Sequence, residues 1–417
     1  MKNQFKAIEG GICAAKGFKA SGTYCGIKKP SYENPKKSHK NDICLYASDK
    51  LCNTAAVYTT NKVKGAPIIV TKANLEKSNG KAIAVIANSK NANTCNADGI
   101  EKAEKMCELV ANEMNIPKEQ VIVASTGVIG QILPIEPIQQ AVPELVKKLD
   151  YNKNLEAATA IMTTDTIKKE YAVEFEINGK KCVLGGMAKG SGMIHPNMAT
   201  TLNFITTDCA ISTDMLQNAL SEIVKVTYNC LSIDGDTSTN DMVCIMANGI
   251  AENEEIVEES EEYNIFKSAL YEVMANLTRM LAKDGEGATK LIECIVDKAS
   301  TKDIAITVAK SVVCSSLFKA AMFGEDANWG RILCAIGYAD AQFDINKVDV
   351  DIKSDKGIVS VCKNGSGVEF SEEEASKILS CDEIYVMISL NDGVENATAW
   401  GCDLTYDYVK INGDYRT

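Results

Sequence analysis

Histidine is nearly missing from this chain. His39 and His195 are the only two among 417 residues. That removes most zinc sites and leaves little material for a Ser-His-Asp triad, so nucleophilic catalysis here needs another base. Long apolar runs are missing as well: none approaches the roughly 20 residues that span a bilayer. The N-terminus MKNQFKAIEGGICAAKGFKASG has lysines but no continuous apolar core, so no signal peptide is expected. A basic surplus is absent too. The net charge of −12 argues against nucleic acid as partner and mainly favours solubility. Sixteen cysteines are present, but never as Cys-x-x-Cys and never beside histidine at metal spacing. They read as small buried hydrophobes of a reducing cytosol rather than as a disulfide frame, so a cytoplasmic protein is expected.

The length allows two or three domains or one large intertwined one. GFKASGTYCGIK near the start is expected to open a first sheet, and Ser31–Asn41 to be a surface loop. Ile68–Thr71, Ala82–Asn88, Val121–Ala124, Leu202–Thr206, Leu291–Val296, Ile304–Val308 and Ile384–Ser389 read as strands. Tyr171–Ile177 and Lys181–Leu184 read as a hairpin about Asn178-Gly179. Glu104–Asn115, Ile135–Leu149, Leu155–Met162, Thr213–Asn229, Tyr263–Ala282 and Asp326–Tyr338 have helical spacing. Strands alternate with helices, which gives an α/β or α+β class with no internal repeat.

The stretch that organises the chain is Gly185–Phe204, GGMAKGSGMIHPNMATTLNF. Its glycine density reads either as a site loop or as a plain connection between strands. Gly190-Ser191-Gly192 lacks the spacing of a nucleophile elbow. Asp234–Asn240 places oxygens at alternate positions but lacks the glycine and final acid of a calcium loop, and reads as a hydrogen-bonded turn. Gly285-Glu-Gly287-Ala-Thr-Lys290 has neither Walker nor dinucleotide spacing, so no nucleotide is expected. Glu286 reads equally as a site carboxylate or as a solvated turn acid. Thr200 is a weak nucleophile inside a chain. It becomes competent as a first residue, when its own α-amine, with a pKa of about 7.7–8.0, accepts the hydroxyl proton. Self-cleavage after the small Ala199 would create that state. The pair Thr200-Thr201 equally reads as the start of a strand, and chemistry alone does not choose between the two threonines.

With VIVASTGVIGQILP, IMTTDT, SIDGDTSTND, DGEGATK and YVKINGDYRT added to that stretch, the chain resembles the ornithine acetyltransferases of the cyclic arginine pathway over nearly its whole length. Much of that family has Met where Thr201 stands. The resemblance implies an α/β sandwich similar to N-terminal-nucleophile hydrolases. It also implies self-cleavage between Ala199 and Thr200 into an α chain (1–199) and a β chain (200–417), commonly assembled as α2β2. The implied reaction is ping-pong: Thr200 takes acetyl from N2-acetyl-L-ornithine and passes it to L-glutamate. Thr126 and Gly127 would donate to the oxyanion. Lys189 would pair with the substrate α-carboxylate, and Glu286 would face the amino end of ornithine. Thr163, which has Thr164 beside it, Asn412 and Thr417 would complete the pocket. No metal and no bound cofactor are implied. The resemblance covers members that also use acetyl-CoA and members that only recycle the acetyl group. A self-processing amidohydrolase or aminopeptidase, passing the acyl group to water, is the alternative, and a non-catalytic binding relative is a third reading.

Overall fold

The structure, a computed structural model, describes residues 4–27, 40–195 and 201–414. Ala199, Thr200 and Thr417 therefore lie outside the described residues, as does most of the Ser31–Asn41 segment. The strands are β1 (Lys6–Ile8), β2 (Phe18–Thr23), β3 (Ile43–Tyr58), β4 (Lys81–Asn88), β5 (Val121–Ser125), β6 (Lys169–Ile177), β7 (Lys180–Lys189), β8 (Leu202–Thr207), β9 (Leu231–Ser232), β10 (Met242–Ala247), β11 (Leu291–Ala299), β12 (Asp349–Ser354), β13 (Gly357–Lys363), β14 (Ser366–Gly367), β15 (Glu383–Ser389) and β16 (Glu395–Cys402). A nine-stranded sheet runs β1-β6-β7-β8-β10-β3-β4-β5, with β2 also on β3. A seven-stranded sheet runs β14-β13-β12-β15-β11-β16-β9. The α/β class expected from the sequence is the one observed.

The larger sheet is covered on both faces, which is why its strands read as unbroken apolar runs. In β10, Met242, Cys244 and Met246 enter one core with Tyr46, Met187 and Phe204. Val243, Ile245 and Ala247 enter the other, with Phe266, Leu270 and Leu277 of the helix Glu261–Lys283. That helix starts where Ser260 accepts a bond from the Tyr263 N–H, and Glu261 and Glu262 favour its positive end. Its apolar residues pack against both sheets. Helices Ala66–Lys77, Gly99–Met114 and Ile135–Lys147 cover the far end of the larger sheet, packing on Leu45, Ile86 and Val123.

Three expectations need correction. Ile68–Thr71 lies in the helix Ala66–Lys77, and Ile304–Val308 lies in the helix Lys302–Cys314. Gly185 and Gly186 belong to β7 and not to a loop. A Cβ on Gly185 would fall 2.1 Å from the Gly11 carbonyl oxygen, so this glycine serves close packing of the N-terminal segment on the strand. Among the described residues, no single helix is long and apolar enough to cross a membrane.

Candidate active site

The site forms where four strand tips converge: the ends of β5 and β7 and the starts of β8 and β10. β8 and β10 run parallel, with Leu202 opposite Met242, and β7 is antiparallel to β8, with Lys189 opposite Leu202. The β5 tip is fixed by side chains that stand in for ladder bonds. Ser125 Oγ bonds Asn88 Oδ1 at 2.6 Å, and the Asn240 amide donates to the Ser125 carbonyl at 3.0 Å and the Ala92 carbonyl at 2.6 Å. Thr94 Oγ1 donates to Asn240 Oδ1 at 2.6 Å. The next two residues, Thr126 and Gly127, are thus held rigidly. Gly127 has φ +131°, and a Cβ there would meet the Lys90 carbonyl carbon at 2.3 Å and Asn91 N at 2.5 Å. Only glycine fits. Its N–H makes no backbone bond among the described residues.

Lys189 ends β7. Its Nζ donates to Thr126 Oγ1 at 3.3 Å and stands 4.0 Å from Asp165 Oδ2. With its oxygen accepting from Lys189, the Thr126 hydroxyl keeps its own hydrogen free for a ligand oxygen. Asp165 is buried and accepts from Thr163 N at 3.0 Å, Gly190 N at 2.7 Å and Lys169 Nζ at 2.7 Å. Burial alone would raise its carboxyl, but Lys189, Lys169 and the Gly190 amide overcome this and hold it well below the usual carboxylate range. Burial lowers the Lys189 ammonium from its ordinary value, with Asp165 opposing the shift. Glu286 is set by its own N–H, which donates to the Ser191 carbonyl at 2.7 Å, and its Oε2 accepts from the Asn412 amide at 2.8 Å. Thr164 Oγ1 is already engaged by Ser191 Oγ at 2.7 Å. The Asp234 carboxylate accepts from Met193 N at 2.7 Å, Ile194 N at 2.9 Å and the Tyr408 hydroxyl at 3.2 Å, so the 234–240 segment is the hydrogen-bonded turn its sequence implied.

Thr126, Gly127, Thr163, Lys189, Glu286 and Asn412 line one cavity. Such a cavity can grip a carboxylate at Lys189, a cation at Glu286, and an oxyanion at the β5 tip. Thr201, Ser238, Asn240 and Asp241 also line it, and the sequence reading gave none of the last three a role. Burial pushes the Asp241 carboxyl well above its ordinary range, against bonds from Ser238 and the attraction of Lys189. Its Oδ2 has no hydrogen-bond partner among the described residues. Among the described residues, no group of three or more His, Cys, Asp or Glu is arranged to hold a metal ion.

A family model described as the ArgJ family matches residues 19–417. The chain belongs to the ArgJ family. It is 50% identical over 404 residues to the arginine biosynthesis bifunctional protein ArgJ 1 of Clostridium acetobutylicum, covering 96% of each chain. It is 48% identical over 411 residues to the bifunctional ArgJ of Caldanaerobacter subterraneus subsp. tengcongensis, covering 98% of this chain and 99% of that one. Among solved structures, a bifunctional ArgJ from Bacillus halodurans is 45% identical with a TM-score of 0.48, covering 50% of this chain and 97% of its own. An ornithine acetyltransferase from Mycobacterium tuberculosis, solved with ornithine, is 33% identical with a TM-score of 0.41, covering 47% of this chain and 100% of its own. In this ArgJ-family chain, the six described residues to which the resemblance assigns binding or oxyanion roles come from five separate segments yet meet at one cavity. Ala199, Thr200 and Thr417 lie outside the described residues.

Proposed function

We propose that this chain is an acyltransferase of arginine biosynthesis that moves the acetyl group of N2-acetyl-L-ornithine onto L-glutamate, with Thr200 as carrier. The chain is cut before Thr200, freeing the α-amine. The Thr200 hydroxyl attacks the amide carbonyl while that amine takes the hydroxyl proton. The tetrahedral oxyanion is met by the Thr126 hydroxyl and the Gly127 N–H. Collapse expels the ornithine α-nitrogen, which takes up the proton, and leaves an acetyl ester on Thr200. The glutamate amine then attacks the ester, and N-acetylglutamate leaves. Lys189 pairs with the α-carboxylate of each amino acid in turn, Glu286 with the side-chain ammonium of ornithine, and Thr163, Asn412 and Thr417 complete the pocket.

The observation that carries this reading is the convergence of Thr126, Gly127, Thr163, Lys189, Glu286 and Asn412 on one cavity whose wall includes Thr201, the chain neighbour of Thr200. The reading includes acetyl-CoA as a second donor for N-acetylglutamate synthesis, and relatives named as bifunctional proteins of arginine biosynthesis support a second activity. The cleaved chains are proposed to stay together as an α2β2 assembly in the cytoplasm, without metal or cofactor. Mass spectrometry of the denatured protein tests the cut: two fragments meeting at Ala199/Thr200 are expected, and a single intact chain in active enzyme refutes the mechanism. Thr200→Ala is expected to remain uncut and inactive. Acetate release from N2-acetylornithine without glutamate would favour the amidohydrolase alternative.

A further inference from the structure

Behind the cavity lies a buried row of charges of alternating sign. Lys189 Nζ stands 4.0 Å from Asp165 Oδ2, and Asp165 Oδ1 takes a 2.7 Å bond from Lys169 Nζ. Lys169 Nζ also donates to Asp284 Oδ2 at 2.5 Å. Asp284 stands two residues before Glu286 and accepts from Thr166 N at 3.1 Å. The side chains of Lys169, Asp165 and Asp284 are 0%, 0% and 3% exposed. The row therefore begins at one charged grip of the cavity and ends beside the other.

Burying such charges is costly unless each is paired and hydrogen-bonded, so a closed alternating row has few geometries open to it. A lysine ammonium on its four-carbon stem otherwise has wide reach. Here, Asp165 limits that reach while also holding Thr163 N and Gly190 N. At the far end, Asp284 fixes the turn that carries Glu286. We propose that the Asp165–Lys169–Asp284 row is a ruler: it fixes the separation of Lys189 and Glu286 and so selects the carbon-chain length of the acetylated diamino acid. This rests on the reading of Lys189 and Glu286 as grips for its two ends. Asp165, Lys169 and Asp284 are positioning residues, since none of them is required to touch the substrate.

The test compares N2-acetylornithine with its homologue one methylene longer, N2-acetyllysine, both with glutamate as acceptor. The wild-type enzyme must first transfer acetyl from N2-acetylornithine; failure there removes the functional reading itself. One methylene is commonly worth about 10–200-fold in kcat/KM, and wild type is expected to prefer ornithine within that range. Asp165→Asn is expected to shrink the preference to about threefold, mainly through a raised KM for N2-acetylornithine. Asp284→Asn keeps the Lys169–Asp165 pair and loosens the far end, so it serves where Asp165→Asn does not fold. A lower preference in either folded variant supports the ruler. Equal losses on both substrates, with the wild-type preference retained, reduce the row to a structural role and overturn the proposal.

Discussion

Gly127→Ala tests the rigidity of the β5 tip, on which the proposed oxyanion chemistry depends. The added Cβ would sit 2.3 Å from the Lys90 carbonyl carbon and 2.5 Å from Asn91 N, against 3.4–4 Å for ordinary contact. Both neighbours are backbone, and φ is +131°, so no rotamer change relieves the clash. The tip must retreat by about 1 Å. A misplacement of about 1 Å typically costs on the order of 10²-fold in rate, and loss of one oxyanion donor costs about 10²–10³-fold in kcat. The two estimates agree, so kcat for acetyl transfer is expected to fall by about 10²–10³-fold. KM for N2-acetylornithine should change little, because Lys189 and Glu286 are left in place. Overpacking of this kind also costs about 1–3 kcal/mol of stability, visible as a lower urea midpoint. The assay is steady-state transfer from N2-acetylornithine to glutamate, beside urea unfolding of the same preparation. A Gly127→Ala enzyme with kcat within threefold of wild type would refute the assignment of this tip to the oxyanion.

Lys169→Met leaves Asp165 and Asp284 buried without their shared cation and is expected to cost about 3–5 kcal/mol, read from the urea midpoint. Asp165→Asn lowers the melting temperature at neutral pH. Because the folded carboxyl lies below its unfolded value, its contribution is fully present above the unfolded pKa of about 3.9 and is lost as pH falls toward the folded one. The gap to wild type should therefore narrow in melts run from pH 5 downward; a constant gap would contradict the ion-pair account. All sixteen cysteines are free, with Cys95 and Cys334 exposed. A thiol reagent should label those two first in the folded protein, with buried Cys44, pushed up to about 12 by burial, far slower. Dithiothreitol should leave the melting temperature unchanged.

Several elements could be read from the sequence because local and tertiary preferences agree. Ala82–Asn88 and Val121–Ala124 are apolar on both faces, and Asn178-Gly179 supplies the turn between β6 and β7. The failures have a common cause. Ile68–Thr71 and Ile304–Val308 are β-branched runs too short to separate a period of 2 from one of 3.6. A longer window reveals the helix: Ala305, Val308, Ala309, Val312 and Val313 are its buried face, and Thr301 caps it by accepting from Ile304 N. Thr126, Gly127, Lys189 and Glu286 stand out through their motifs, and all four line one cavity. Asp165 was not singled out, although it lies inside IMTTDT, because its importance comes from partners 4 and 24 residues away, Lys169 and Lys189. Asp241 was hidden at the end of a turn read as purely structural.

The order of strands in the larger sheet bears on what a break at 199–200 would do. β8 and β10 follow that bond, yet they lie between β7 on one side and β3 on the other, both of which precede it. The downstream piece is thus clamped in mid-sheet, like a plank nailed along both edges. Pulling the pieces apart would rip two rows of ladder bonds and open buried surface on either flank. A cut enzyme should therefore travel as one particle through dilution and gel filtration, and part only when the whole sheet melts.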